Sequence, residues 1–203
     1  MVIQRRQTGP QAEQRHEVRL IGGRWKRSKL PVLDRPGLRP TPDRVRETLF
    51  NWLGQSLEGV AVLDAFAGSG ALGLEAASRG ASPVVMIEQD PAAVRHLRAC
   101  VQRLGAAQID VLQADALAWM RAAAAQGRRF DLVFLDPPFA GDLFAPALLA
   151  AQALVGPAGW IYLEADRTFA PADLPAGWQP WRHLRAGQVH AHLLRHDGVP
   201  AAA

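Results

Sequence analysis

A chain of 203 residues, 49% hydrophobic and 21% charged, suits one soluble domain with a sizeable core. Its single cysteine, Cys100, excludes an internal disulfide, and "MVIQRRQTGPQ" lacks the apolar run of a secretory signal, so a cytoplasmic location is expected. Charge is uneven: residues 1–46 hold 12 Lys/Arg against 4 Asp/Glu, net +8, and the remaining 157 hold 11 against 15, net −4, a pattern that suits a polyanionic partner.

Residues 1–17 are rich in Gln and Arg and read as a disordered basic tail. "HEVRLIGGRWKRSKLPVL" reads as two short strands around Gly22-Gly23. "TPDRVRETLFNWL" is a helix with Thr41 as cap and Pro42 at its first position; Val45, Leu49 and Trp52 share one face. Strands and helices then alternate. Strands are expected at 60–64, 83–88, 108–113, 130–136 and 159–165, with helices at 71–80, 91–105, 115–127 and 142–155 between them. Residues 143–163 carry no charge, but Pro146, Gly156, Pro157 and Gly159 break the run into a helix, a turn and a buried strand. "WQPWRHLRAGQVHAHLLRH" closes the chain with two strands around Ala186-Gly187.

This alternation implies an α/β fold: a Rossmann-like doubly wound sheet, mostly parallel, with a C-terminal antiparallel hairpin. The expected organisation is a tail (1–17), an N-terminal hairpin and helix extension (18–55) and the main domain (56–197).

"VLDAFAGSGALGLEA" carries Gly68-Ser69-Gly70-Ala71-Leu72-Gly73, a literal G-x-G-x-x-G. In a doubly wound sheet such a loop meets a nucleotide at the carboxyl ends of the strands. Asp64 ends the strand before it. A carboxylate repels a pyrophosphate and attracts a cation, which favours S-adenosylmethionine, with its sulfonium and ammonium, over NAD. Glu88 ends the second strand and can accept ribose hydroxyls in either cofactor. Asp115 follows the third strand, where it can reach an adenine edge, cap the next helix, or do both.

"VFLDPPFAG" follows the fourth strand. Pro137 and Pro138 stiffen the loop and remove two donors, leaving the Asp136 carboxylate and the Pro137 carbonyl as acceptors. Two acceptors gripping the hydrogens of an exocyclic base amine turn its lone pair toward a methyl donor. Phe139 offers a flat face to an unstacked base. In the basic hairpin Arg24, Lys26, Arg27 and Lys29 can neutralise phosphates, and Trp25 can either stack on a base or pack the hairpin down. His190 and His192 share a strand face without a third metal ligand in view, so no metal is expected.

In their order, "RLIGGRWKRSKLPV", "GLRPTPDRVRETLFNWL", "VLDAFAGSGALGLEAASRGA", "FDLVFLDPPF" and "AGQV" resemble the RsmD family of bacterial 16S rRNA guanine-N2 methyltransferases, over about residues 18–196. The resemblance implies a class I S-adenosylmethionine-dependent methyltransferase, a monomer acting on guanine 966 of 16S rRNA in the 30S subunit or its assembly intermediate. It implies that Asp64, Gly68 and Gly70 line the cofactor's methionine end, with Ala65 and Phe66 also among the expected cofactor-binding residues. Glu88 then holds the ribose, Asp115 with Ala116 the adenine, and Asp136 to Phe139 form the base pocket. Arg39, Thr41 and Arg44 would close over cofactor or RNA. The rival readings are a DNA amino-methyltransferase, an NAD-linked oxidoreductase, and an RNA-binding assembly factor with a decayed site.

Overall fold

The computed structural model describes residues 17–31 and 41–197. Residues 1–16 of the expected tail and Arg39 lie outside the described residues, and Glu17, placed in the tail by the sequence, is the first residue of a strand.

Two short strands, β1 (Glu17–Arg19) and β2 (Lys29–Pro31), pair antiparallel with Arg19 opposite Lys29. The strands are shorter than the sequence suggests. Residues 20–28 form a compact loop in place of a tight turn at Gly22-Gly23, and the loop's backbone bonds elsewhere: Arg24 N–H donates to the Ser78 carbonyl (2.6 Å) and Trp25 N–H to Ser78 Oγ (2.9 Å). These bonds satisfy groups at the C-terminal end of a later helix. Helix α1 (Asp43–Leu53) follows. Thr41 does not cap it, because no side-chain cap bond forms and the cap position is Pro42. The buried face is Val45, Arg46, Leu49 and Phe50, whereas Trp52 is only partly covered.

The main sheet takes β3 (Val62–Asp64), β4 (Val84–Glu88), β5 (Ile109–Gln113), β6 (Phe130–Leu135), β7 (Val155–Ala165), β8 (Trp178–Ala186) and β9 (Val189–His196), with α2 (Ala71–Ser78), α3 (Pro91–Leu104), α4 (Ala116–Ala125) and α5 (Phe144–Gln152) as crossovers. Their order is β5-β4-β3-β6-β7-β9-β8. The first five run parallel, and β9 enters antiparallel between β7 and β8. Strand β7 begins earlier than expected, because a bulge between its pairings to Phe130 and Leu132 absorbs the Gly156-Pro157 turn within the strand.

Parallel strands covered on both faces carry near-continuous apolar runs, here "VVMI" in β4 and "LVFL" in β6. Alternation sends Val62, Met86, Phe134 and Tyr162 to one face, under α1, α2, α3 and the N-terminal segment, and Leu63, Ile87, Leu135 and Leu163 to the other, under α4 and α5. Leu20, Trp25 and Leu30 belong to the first of these cores, so the N-terminal segment shares a core with the sheet. Among the described residues, no helix is long and apolar enough to cross a membrane.

Candidate active site

Each parallel strand ends at or near a carboxylate: Asp64 closes β3, Glu88 closes β4, Asp115 lies beyond β5, Asp136 beyond β6 and Glu164 near the end of β7. All five line one cavity of about 1150 Å³. That exceeds the roughly 300–1,000 Å³ of ordinary small-molecule sites and leaves space for two occupants.

The glycine loop is built around two of these carboxylates. Gly70 (φ 80°) turns the chain into α2 in a left-handed conformation that suits glycine. Gly73 N–H donates to Asp64 Oδ2 at 2.9 Å, and a Cβ at Gly73 would stand 2.9 Å from that same oxygen. Only glycine lets the helix come that close. Gly68 N–H donates to Glu88 Oε2 (2.9 Å), while Glu88 Oε1 accepts from Asp90 N–H (2.8 Å). A carboxylate has about four acceptor sites, so Glu88 keeps capacity for hydroxyl donors. Asp115 caps α4, its Oδ1 accepting from Ala118 N–H (2.8 Å), and also lines the cavity.

Among the expected cofactor residues Ala65, Phe66, Gly68, Ala116 and Thr41 line the cavity, as do Asp136, Pro137, Pro138 and Phe139. Gly70 does not; a side chain there would meet Leu97 and Leu74, so it shapes the loop from behind. Trp25 is only 9% exposed and its ring packs in the core, which leaves little face for a base. Arg24, Lys26, Arg27 and Arg44 are exposed, and Lys29 pairs with Glu17 at 2.9 Å.

Sequence reasoning missed Glu164. It is 3% exposed, accepts a hydrogen bond from Tyr162 OH at Oε1 (2.8 Å) and is bonded by the Thr41 side chain. The signal was a lone carboxylate closing the apolar strand "WIYLEA". Gln188 of the β8–β9 turn and Val189 at the start of β9 complete the wall.

The carboxylates crowd one another. Burial first, then the charges of Glu88 and Glu164, push Asp64 up to about 7, against the pull of the Gly73 N–H. Burial, then Glu164 and Asp64, push Asp136 well above the ordinary carboxylate range. Burial also raises Glu164, while the Tyr162 and Thr41 hydroxyls and Arg46 hold it down. Such a cluster is relieved by a bound cation and aggravated by a phosphate. Cofactor affinity is therefore expected to depend on pH. Asp64 holds a proton from about 3.8 to about 7 that the unfolded chain has released, so its contribution to apo stability falls as pH rises through that window. A cation displaces that proton. The S-adenosylmethionine Kd should tighten as pH rises toward 7, by up to about tenfold per unit, with proton release measurable by calorimetry in buffers of different ionisation heat. Asp64→Asn should weaken binding and flatten the profile; a Kd constant from pH 5.5 to 7 would count against the assignment.

Among the described residues no three His, Cys, Asp or Glu side chains are grouped to hold a metal ion. His190 and His192 do share a face of β9, with His183 stacked nearby. Cys100 is buried in α3.

The strand order, the glycine loop and the ring of carboxylates define a Rossmann-like, S-adenosylmethionine-dependent methyltransferase. Known proteins narrow the class. A family model described as conserved hypothetical protein 95 matches residues 18–195. Ribosomal RNA small subunit methyltransferase D of Escherichia coli K12 is 41% identical over 183 residues, 89% of this chain and 91% of that protein. Its counterpart of the same name in Haemophilus influenzae is 40% identical, over 88% and 94%. The solved structure of Escherichia coli yhhF superposes with a TM-score of 0.77 at 34% identity, covering 91% of this chain and all of that one. The chain belongs to the RsmD family.

Proposed function

We propose that the protein transfers a methyl group from S-adenosylmethionine to the N2 amine of a guanine in 16S rRNA, guanine 966 by resemblance, during small-subunit assembly. The observation that carries this reading is that Asp136, Pro137, Pro138 and Phe139 border the same cavity as Gly68, Asp64 and Glu88. A base amine and a methyl donor thus meet within one space. The relatives named as rRNA methyltransferases support the RNA substrate.

Bound S-adenosylmethionine supplies the electrophilic methyl. The protein supplies position. Asp64 faces the cofactor's positive charge, Glu88 takes the ribose hydroxyls, and Asp115 with Ala116 borders the adenine. Phe139 is 40% exposed, one of two large apolar side chains so exposed among the described residues, and its ring leans on Phe144 (centroids 6.1 Å apart). An aromatic ring left open at a cavity mouth is ready to stack on a flipped base. The Asp136 carboxylate and the Pro137 carbonyl accept the two N2 hydrogens, so that the lone pair faces the methyl. Methylation of the amine would release one of its protons. Burial and the neighbouring carboxylates favour the protonated form of Asp136, so the cofactor's positive charge would first ionise it, and the carboxylate is then placed to take the amine's proton.

The test is transfer of labelled methyl to 30S subunits lacking the modification, to protein-free 16S rRNA and to duplex DNA, followed by nucleoside analysis. Label in N2-methylguanosine from the ribosomal substrates alone is expected; label in DNA would favour a DNA amino-methyltransferase. The basic loop bears on the same substrate. Changing Arg24, Lys26, Arg27 and Lys29 together to glutamine should weaken RNA binding most at low salt and reduce the slope of log K against log salt by about 2 to 3. Lys29 contributes least because Glu17 already competes for it. An unchanged slope would leave the loop a purely structural element.

A further inference from the structure

Asp136 and Pro137 explain how an amine is held but not why the base is guanine, since adenine and cytosine also carry one. Glu164 supplies a second constraint. Strands β6 and β7 pair with Leu135 opposite Leu163, so Asp136 and Glu164 are the next residues on neighbouring strands. Both border the cavity. Glu164 is held by Tyr162 OH, which donates to its Oε1, and the Thr41 hydroxyl also bonds it. Two donors leave about two of its four acceptor sites for the cavity. In the sheet order Glu164 lies two strands beyond β3, about 10 Å along the sheet and opposite in direction to β4 and β5, whose carboxylates face the cofactor.

Resting on the guanine-N2 reading, we infer that Glu164 is the specificity-determining residue of the base pocket, accepting the N1–H of the target guanine beside the amine held by Asp136. Guanine presents N1–H and N2–H as adjacent donors. Adenine and cytosine place a lone pair beside their amines, which a carboxylate repels. Uracil has an imino N–H but no amine. The acceptor pair at Asp136 and Pro137 therefore demands an amine, Glu164 demands a neighbouring imino donor, and guanine alone meets both. The tie from Glu164 to Thr41 also brings the start of α1 to the base pocket.

The experiment compares 16S RNA carrying guanine at the target with the same RNA carrying 2-aminopurine, made by ligating a synthetic segment. 2-Aminopurine keeps the amine and has an N1 lone pair in place of N1–H. Wild-type kcat/KM should fall by about 10- to 100-fold with 2-aminopurine. Glu164→Gln, whose amide can donate to that lone pair, should narrow the ratio by about tenfold or more. The missing O6 of 2-aminopurine affects both enzymes alike, so the ratio of ratios isolates the N1 contact. Equal wild-type turnover of the two RNAs would overturn the inference even if the variant failed to fold. A weakened S-adenosylmethionine Kd in Glu164→Gln with an unaltered base ratio would overturn it too, and would make Glu164 a cofactor ligand. Absence of transfer to the guanine RNA by the wild type would overturn the guanine-N2 reading itself and this inference with it.

Discussion

Replacing Asp136 by alanine should lower methyl transfer by about 100- to 1,000-fold while S-adenosylmethionine still binds. The carboxylate makes its contribution where the amine's electrons shift, so its loss falls on kcat more than on cofactor affinity. The fold should not suffer. Asp136 is repelled by Glu164 and Asp64, so removing it relieves like charges in a buried cluster. Asp136→Asn keeps one carbonyl acceptor but cannot take the proton, and should fall between the alanine variant and the wild type. Single-turnover methylation alongside a cofactor-binding titration separates the two effects. Full turnover in Asp136→Ala would sink the mechanism.

Replacing Glu75 by glutamine should produce the largest loss of stability. Glu75 is 0% exposed, on a helix whose every residue is buried. Its Oε1 accepts from Arg79 Nε (2.9 Å); its Oε2 accepts from Ile21 N–H (2.8 Å) and Arg46 Nη1 (3.4 Å). Arg46 is also fully buried and spends its remaining donors on the Arg19 and Thr41 carbonyls and on Asp43. Arg79 lies over the Phe50 ring (4.6 Å) and donates to Gln55. Without the Glu75 charge, two buried guanidiniums lose the carboxylate they share, leaving Asp43 on Arg46 and the Gln55 amide oxygen on Arg79. Breaking such a network costs about 3–5 kcal/mol, or roughly 10 °C in Tm for a chain of this size. Joint replacement of Arg46, Glu75 and Arg79 by apolar residues should cost much less. Because Glu75 also holds Ile21, the single variant should expose the 20–28 loop to protease before the sheet unfolds. Thermal unfolding within about 1 kcal/mol of the wild type would show that solvent or repacking compensates the loss.

This network links the two halves of the function. The basic loop rests on Ser78, Glu75 ties that loop to Arg46, Arg46 holds the Thr41 carbonyl, and the Thr41 side chain reaches Glu164 beside Asp136. The surface proposed to meet RNA and the pocket proposed to take its base are built on one set of contacts.

Much of the molecule was legible in the sequence because its signals are local. Apolar runs broken by glycine and proline mark the parallel strands, Asp90 and Pro91 mark the start of α3, and glycine spacing with Asp64 marks the loop proposed to hold the cofactor. Those patterns depend on backbone geometry within a few residues, and such geometry does not wait for the fold. Asp136 to Phe139 stood out because a tetrapeptide with two prolines has few conformations. What tertiary structure decided was everything that depends on neighbours distant in the chain. Thr41 looked like a helix cap, but its hydroxyl bonds Glu164, more than a hundred residues away. Trp25 could equally have faced RNA; a core shared with α2 and α1 drew it inward. Gly70 fitted the nucleotide pattern and proved to support the loop from behind. Glu164 gave no motif at all. Its meaning comes from the register of β6 on β7, which sets it beside Asp136, and register is a property of two strands at once.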